Sequence, residues 1–480
     1  MMDADTVYEN IRALSDQFAT ERGERQQRRE LVAADFARLR EAGFLLTGVP
    51  VGHGGVWESV SGSTRPICEM LRILAHGDSS VALVCAMHPV VLNFWMAPAQ
   101  APPPFEGAWE GQRRSIFRNV CEGAWWGTIA SEPGTGGDIA KTRATARRGP
   151  TDGAYLLTGR KNFGSGSGVT SYMVTMAVAE GETAPDMFAL DMREVPWDGS
   201  AGVTLTAAWD GHGMAATQSH AFSFNEYPVT RVAWPSQFRR LGEAAGGFGQ
   251  CAFTAVIVGV AEIALETARQ QVTRRRDTLR AYERVEWSKA ELEGWLIQQA
   301  YEGMLRAIEE DRDRQLRSVQ AKTAIAELAE SVLRRISRVI GGGTFSRSSP
   351  FGYWYEDVRA LGFLRPPSGL AYDRLFEWGP QMSSVEQPWP KPLASRPPAA
   401  LLGPAAPARQ RLATSRSRAG RVRHPVVIVG QGVLAPAAIA ALPSSCDHRL
   451  SVPNSPRHSQ RRRVKRCRLC SCVKPIALCS

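Results

Sequence analysis

Apolar residues recur at helical spacing at both ends of the first 390 residues of this chain and alternate with polar ones in between. In LVAADFARLREAGF, Val32, Phe36 and Leu39 fall three or four positions apart and Gly43 follows where a helix stop belongs, so Thr6 to about Gly43 predicts helix. Residues 64–98 are apolar enough for a largely buried helical pair. Asp78, Ser79 and Ser80 should interrupt and recap that pair, because their side chains can satisfy free N–H groups at a helix start. From about Gly123 to Trp234, YLLTGRKNF, SYMVTMAVA, DMFALDM, GVTLT and HAFSFNEYPV are β-branched and aromatic runs bounded by Gly, Pro and Asp, which predicts short strands joined by turns. Helical spacing returns from about Leu241 to Pro390. Val258, Ala261, Leu265 and Ala268 line one face of VIVGVAEIALETARQQV, as a bundle helix requires. The fold class expected is mainly α with a central β domain, divided as residues 1–122 (helical), 123–235 (β) and 236–390 (helical bundle).

Composition adds a boundary. The chain has 480 residues, 44% of them hydrophobic, enough for a sizeable core in more than one domain. Its net charge of +11 is uneven: residues 391–480 carry 17 Lys and Arg against the single acid Asp447, which leaves 41 basic and 46 acidic residues in 1–390. A mildly acidic body gives no support to nucleic-acid binding. The tail is rich in Pro, Ala, Ser and Arg, and disorder is expected there. Its apolar island PVVIVGQGVLAPAAIAALP is too broken by Gly and Pro for a membrane span. Cys467, Cys470, Cys472 and Cys479 lack the second pair or histidines of a zinc set, so no metal is expected. Cys68, Cys85, Cys121 and Cys251 are scattered without metal-ligand spacing, and the start MMDADTVYENIRALSDQF is acidic where a secretory signal would be basic; both fit a cytoplasmic protein.

Two runs carry candidate chemistry: TIASEPGTGGD, Thr128 to Asp138, and GRKNFGSGSG, Gly159 to Gly168. Taken singly, Gly-Thr-Gly-Gly in the first reads as a tight turn and Phe163 in the second as a core residue. Together and in order they resemble the two flavin-contacting segments of the acyl-CoA dehydrogenase superfamily, T-E-P-G-x-G-S-D and G-x-K-x-W-I-T-N, and the resemblance extends over roughly residues 5–380. It implies an N-terminal helical domain, a middle β-barrel-like domain and a C-terminal four-helix bundle, assembled as a homodimer or homotetramer. The cofactor implied is FAD, with FMN as the alternative. Thr128, Ala130 and Ser131 then lie at the flavin's pyrimidine edge, Gly136 is a further cofactor contact, Phe163 lies on the flavin's face and Ser165 near N5, with Gly137 in place of the family serine. Arg275, in RRRDTL, and Gly341 and Gly342 correspond to residues that hold the distal half of the cofactor. WDGHGMAATQS resembles the family's G-M-R-x-T-x-S run with Ala215 at the arginine, and Asp357 and Arg359 fall in its R-D-A-K helix.

Dehydrogenation of an acyl thioester such as acyl-CoA also needs a carboxylate to remove an α-proton. The resemblance places that glutamate at Arg365, or in some relatives at Gly249, and neither is acidic; Glu243, Glu262 and Asp373 are the nearest candidates. Three readings follow. The main one is a flavin-dependent oxidoreductase of the acyl-CoA dehydrogenase type that passes electrons to a protein partner. The alternative is a monooxygenase of the same fold in which reduced flavin, delivered by a reductase, captures oxygen as a C4a peroxide or hydroperoxide, with His88 and Ser165 near N5. The third is a catalytically inactive paralogue. His88, on an apolar helix, reads equally as a core residue with one satisfied hydrogen bond.

Overall fold

Asp3 opens the first helix by accepting the Thr6 N–H at 2.8 Å. In the computed structural model, which describes residues 2–97, 101–151 and 153–382, the N-terminal part contains α1 (Ala4–Thr20), α2 (Arg22–Arg25), α3 (Ala33–Glu41), α4 (Val60–Gly77), α5 (Ser79–Met96) and α6 (Glu106–Cys121). The tail expected over 391–480, with its five cysteines, lies outside the described residues. The helical stretch expected from Thr6 to Gly43 is broken between Arg25 and Ala33. ERGERQQRRE offers no apolar side chain to bury, and the turn instead brings Asp35 back onto Arg25 through two 2.9 Å hydrogen bonds. Gly43 ends α3 in the left-handed conformation, φ 90°. Asp78 separates α4 from α5 and caps the latter, accepting the Val81 N–H at 3.0 Å.

The middle part is a sheet of β1 (Trp126–Thr128), β2 (Thr145–Arg148), β3 (Ala154–Gly164), β4 (Tyr172–Ala179), β5 (Pro185–Asp191), β6 (Val203–Ala207) and β7 (His220–Arg231). Strands β4, β2, β3, β7 and β5 pair in that order and β5 pairs again with β4, so the sheet closes on itself; β1 adds to β4 and β6 to β7. Closure removes the exposed edges that an open sheet would leave. All five expected strands are present. The two extra strands are three and four residues long, too short to show alternation.

The C-terminal part contains α7 (Phe238–Ala244), α8 (Phe248–Arg274), α9 (Ala281–Glu309), α10 (Arg314–Ile340), α11 (Pro350–Val358) and α12 (Ser368–Met382). The face expected on α8 is buried, and from Cys251 to Ala261 the helix is buried on every side because α4, α5, α10 and α11 surround it. Both α5 and α8 are long and apolar enough to cross a membrane, but most of each lies inside this core. On α9, Tyr282, Val285, Leu292 and Trp295 are exposed along one helical face.

Lys322 of α10 is fully buried, and its Nζ donates to the Leu361 carbonyl at 2.7 Å, tying the bundle to the segment that leads into Arg365. Burial pushes its pKa down to about 8 from 10.5. Below pH 8 both folded and unfolded chains hold the proton, and the folded state bears the full cost of the buried ammonium. Between about 8 and 10.5 only the unfolded chain keeps it, so stability rises with pH by up to about 3 kcal/mol. Urea midpoints of Lys322→Met should therefore show their greatest gain over the wild type below pH 8 and lose it toward pH 10.5; a pH-independent difference would contradict this.

Candidate functional site

The two motif runs are joined by a buried ion pair. Glu132 lies in the loop after β1 and Lys161 in β3, where the side chain is 0% exposed; its Nζ donates to Glu132 Oε1 at 2.6 Å, Thr142 Oγ1 at 3.0 Å and the Met176 carbonyl at 2.5 Å. Glu132 also accepts the Thr142 hydroxyl and the backbone N–H groups of Arg143 (2.8 Å) and Ala144 (3.2 Å). Burial opposes its ionised form, but Lys161, Thr142 and the Arg143 amide outweigh it and hold its pKa below the ordinary glutamate value. Beside the pair the backbones meet directly, with Asn162 N–H donating to the Ser131 carbonyl at 2.8 Å.

That cross-link accompanies a break in the sheet. Pairing of β3 with β7 shifts register between Lys161 and Gly164, which releases Asn162 and Phe163 from the ladder. Phe163 takes φ 61°, an uncommon conformation for a bulky residue, and its ring is 55% exposed with Trp209 edge-on at 6.1 Å. Two residues on, Ser165 is buried, with its Oγ 2.8 Å from Ser219 Oγ; Ser219 Oγ is 2.7 Å from Thr217 Oγ1, which donates to the Met214 carbonyl at 2.8 Å. Among the other expected edge residues, Ser131 is half-buried, Ala130 is buried, the Thr128 hydroxyl is spent on the Val174 carbonyl at 3.1 Å, and Gly136, at φ 62°, faces open space.

Over this bed lies the segment after α11. Arg365 reaches back to Ser131, Nη2 to Oγ 2.8 Å, and among the described residues no carboxylate pairs with it; burial pushes its pKa down to about 10. Close packing brings it there: a Cβ on Gly137, φ 82°, would stand 2.8 Å from Pro367 Cγ, so the glycine admits the Pro-Pro loop. Gly249 presses on α5, where a Cβ would meet Val90 Cγ1 at 3.2 Å. The nearby acids are committed elsewhere or exposed: Glu262 is bound to Arg72 (2.6 Å) and His76 (3.2 Å), Glu243 pairs with Arg239 (3.0 Å), and Asp373 is exposed on α12. The positions expected of a catalytic glutamate thus hold a cation and a helix contact.

His88 does not join the bed. Its Nε2–H donates to the Leu45 carbonyl at 3.1 Å and its Nδ1 accepts the Trp126 N–H at 3.1 Å, which spends both nitrogens on backbone; full burial pushes its pKa down to about 4. It is a neutral core residue whose two backbone partners tie α5 to the start of β1. Arg275 and the glycine turn do come together, because Arg275 Nη2 donates to the Val339 carbonyl just before Gly341, while Gly341 and Gly342 face open space. Ala215 and Asp357 line one small pocket. With no cation at 215, Asp357 accepts Ser79 Oγ–H and Met214 N–H, both at 2.6 Å, and among the described residues forms no ion pair; burial raises its pKa to about 6.

Residues 127–227 match the family profile described as acyl-CoA dehydrogenase, middle domain. YdbM of Bacillus subtilis, provisionally named an acyl-CoA dehydrogenase, is 24% identical over 380 residues, 75% of this chain and 92% of YdbM. The amino sugar nitrososynthase DnmZ of Streptomyces peucetius is 27% identical over 354 residues, 69% of this chain and 82% of its own. The FMN-bound structure of TdsC from Paenibacillus sp. A11-2, a dibenzothiophene monooxygenase, superposes with a TM-score of 0.65 at 20% identity, over 78% of this chain and 97% of TdsC. The fold is that of the acyl-CoA dehydrogenases.

Within that fold, reading the sequence missed Glu132, Lys161, Thr217 and Ser219. All four stand inside the quoted runs; Glu132 is the single charge between Thr128 and Gly137, whereas Lys161 stands beside Arg160 and nothing in the sequence sets it apart. Removing one partner of a buried pair leaves the other uncompensated, at a cost of about 3–5 kcal/mol. Glu132→Gln and Lys161→Met should each lower the unfolding free energy by about that much in urea, and the double variant by clearly less than their sum. Additive losses would refute the pairing.

Proposed function

We propose that this protein is a monooxygenase of the acyl-CoA dehydrogenase fold that uses reduced FMN delivered by a separate flavin reductase. The observation that carries this reading is Arg365: where a dehydrogenase needs a carboxylate, a guanidinium rests on Ser131. A guanidinium cannot take up an α-proton, whereas a fixed positive charge suits a ligand that brings negative charge. The relationship to a nitrososynthase and to an FMN-bound monooxygenase supports the same choice, and favours FMN over FAD.

The residues present fit a flavin. Phe163 offers an exposed flat side chain held by a strained backbone, Gly136 faces open space, and Ser131 and Ser165 supply hydroxyls. Bound in its reduced form, the flavin supplies two electrons for dioxygen, one oxygen atom going to a small-molecule substrate and the other to water. The chain's part is to position and shield: Glu132 and Lys161 hold the two segments in register, and the Arg365–Pro366–Pro367 loop covers the bed. The test is anaerobic mixing of the FMN-loaded protein with a series of saturated acyl-CoAs. The visible flavin absorbance should persist with every one, and bleaching by any would restore the dehydrogenase reading.

A further inference from the structure

The hydroxyl chain behind Phe163 takes its direction from its anchor, where the Thr217 hydroxyl donates to the Met214 carbonyl at 2.8 Å. A carbonyl oxygen cannot donate, so the single hydrogen of Thr217 goes to Met214 O. Ser219 must then donate to Thr217 at 2.7 Å, and Ser165 must donate to Ser219 at 2.8 Å. Met214 O also accepts the Trp209 Nε1–H at 3.0 Å and the Thr217 backbone N–H at 3.1 Å. The surroundings are rigid: Ser165, Thr217 and Ser219 are buried, Gly166 N–H holds the Thr217 carbonyl at 2.8 Å, Asp357 holds Met214 N, and Met214 and Gln218 sit at φ 50° and 45°. With its hydrogen directed inward, Ser165 can offer only lone pairs outward.

We propose that Thr217 and Ser219 are positioning residues that fix the Ser165 hydroxyl as a hydrogen-bond acceptor, so that the site favours the N5-protonated, reduced flavin over the oxidised form. The inference rests on the flavin reading above. Oxidised N5 carries a lone pair and needs a donor, whereas reduced N5 carries a hydrogen and needs an acceptor. An inward-donating Ser165 satisfies the second and opposes the first. Thr217→Val removes the anchor at Met214, which frees Ser219 to donate to Ser165 and Ser165 to donate outward. Ser219→Ala frees Ser165 directly.

The test is anaerobic equilibrium titration of the full chain with oxidised and with chemically reduced FMN, read as the ratio of the two dissociation constants. The wild type should bind the reduced form more tightly. Thr217→Val and Ser219→Ala should lower that preference about fivefold or more, the effect of one reversed hydrogen bond, while Thr217→Ser, which keeps the hydroxyl, retains it. A wild-type ratio in both Thr217→Val and Ser219→Ala, with FMN still bound, would overturn the relay and leave the flavin site standing. Absence of saturable binding of either form by the wild type would remove the flavin reading itself, and the relay with it.

Discussion

A buried ion pair between Glu132 and Lys161 is the constraint on which the rest of the site depends. It joins a loop after β1 to a strand that is distant in sequence, and in doing so fixes where the register shift in β3 falls. Lys161 is anchored inward at the last pair before the register shift, and two residues on Phe163 emerges exposed at φ 61°, uncommon for a bulky residue. The same loop presents Ser131 to Arg365. Two desolvated charges are costly unless each is fully hydrogen-bonded, and here the carboxylate and the ammonium each have several partners.

Departures from the dehydrogenase pattern fall into two structurally linked sets. Gly137, in place of a serine, makes room for Pro367, and Pro366 and Pro367 follow the Arg365 that replaces a glutamate. The changes act together, since a side chain at 137 would push away the loop that carries the cation. Ala215 stands in place of an arginine in the pocket it lines with Asp357, and Asp357 holds Met214, the terminus of the hydroxyl chain. Substitutions that read singly as losses are, in three dimensions, accommodations to one another.

Much of the fold was legible in the sequence because long elements carry their period openly. Residues 248–274 and the five longer strands show their buried faces in the order of their side chains. The absence of apolar residues in ERGERQQRRE signals the break between Arg25 and Ala33, but the return of the chain onto Arg25 is not legible, because it depends on a salt bridge to Asp35. The site was legible only as two runs. Phe163 and Ser165 could be singled out by resemblance, but the direction of the Ser165 hydroxyl is set by Thr217 and Ser219, about fifty residues away in sequence, and no spacing rule connects them. His88 illustrates the converse: a histidine on an apolar helix suggested chemistry, and two backbone partners give it a structural role.

The central claim is that these segments form a flavin bed whose face is Phe163 and whose fixed charge is Arg365. Its most direct test is a titration of the full chain with FMN, followed by quenching of flavin fluorescence. One FMN should bind per chain, and Phe163→Ala and Arg365→Met should each weaken binding about tenfold or more without lowering the melting temperature. Binding that never saturates, or that neither substitution disturbs, would contradict the account.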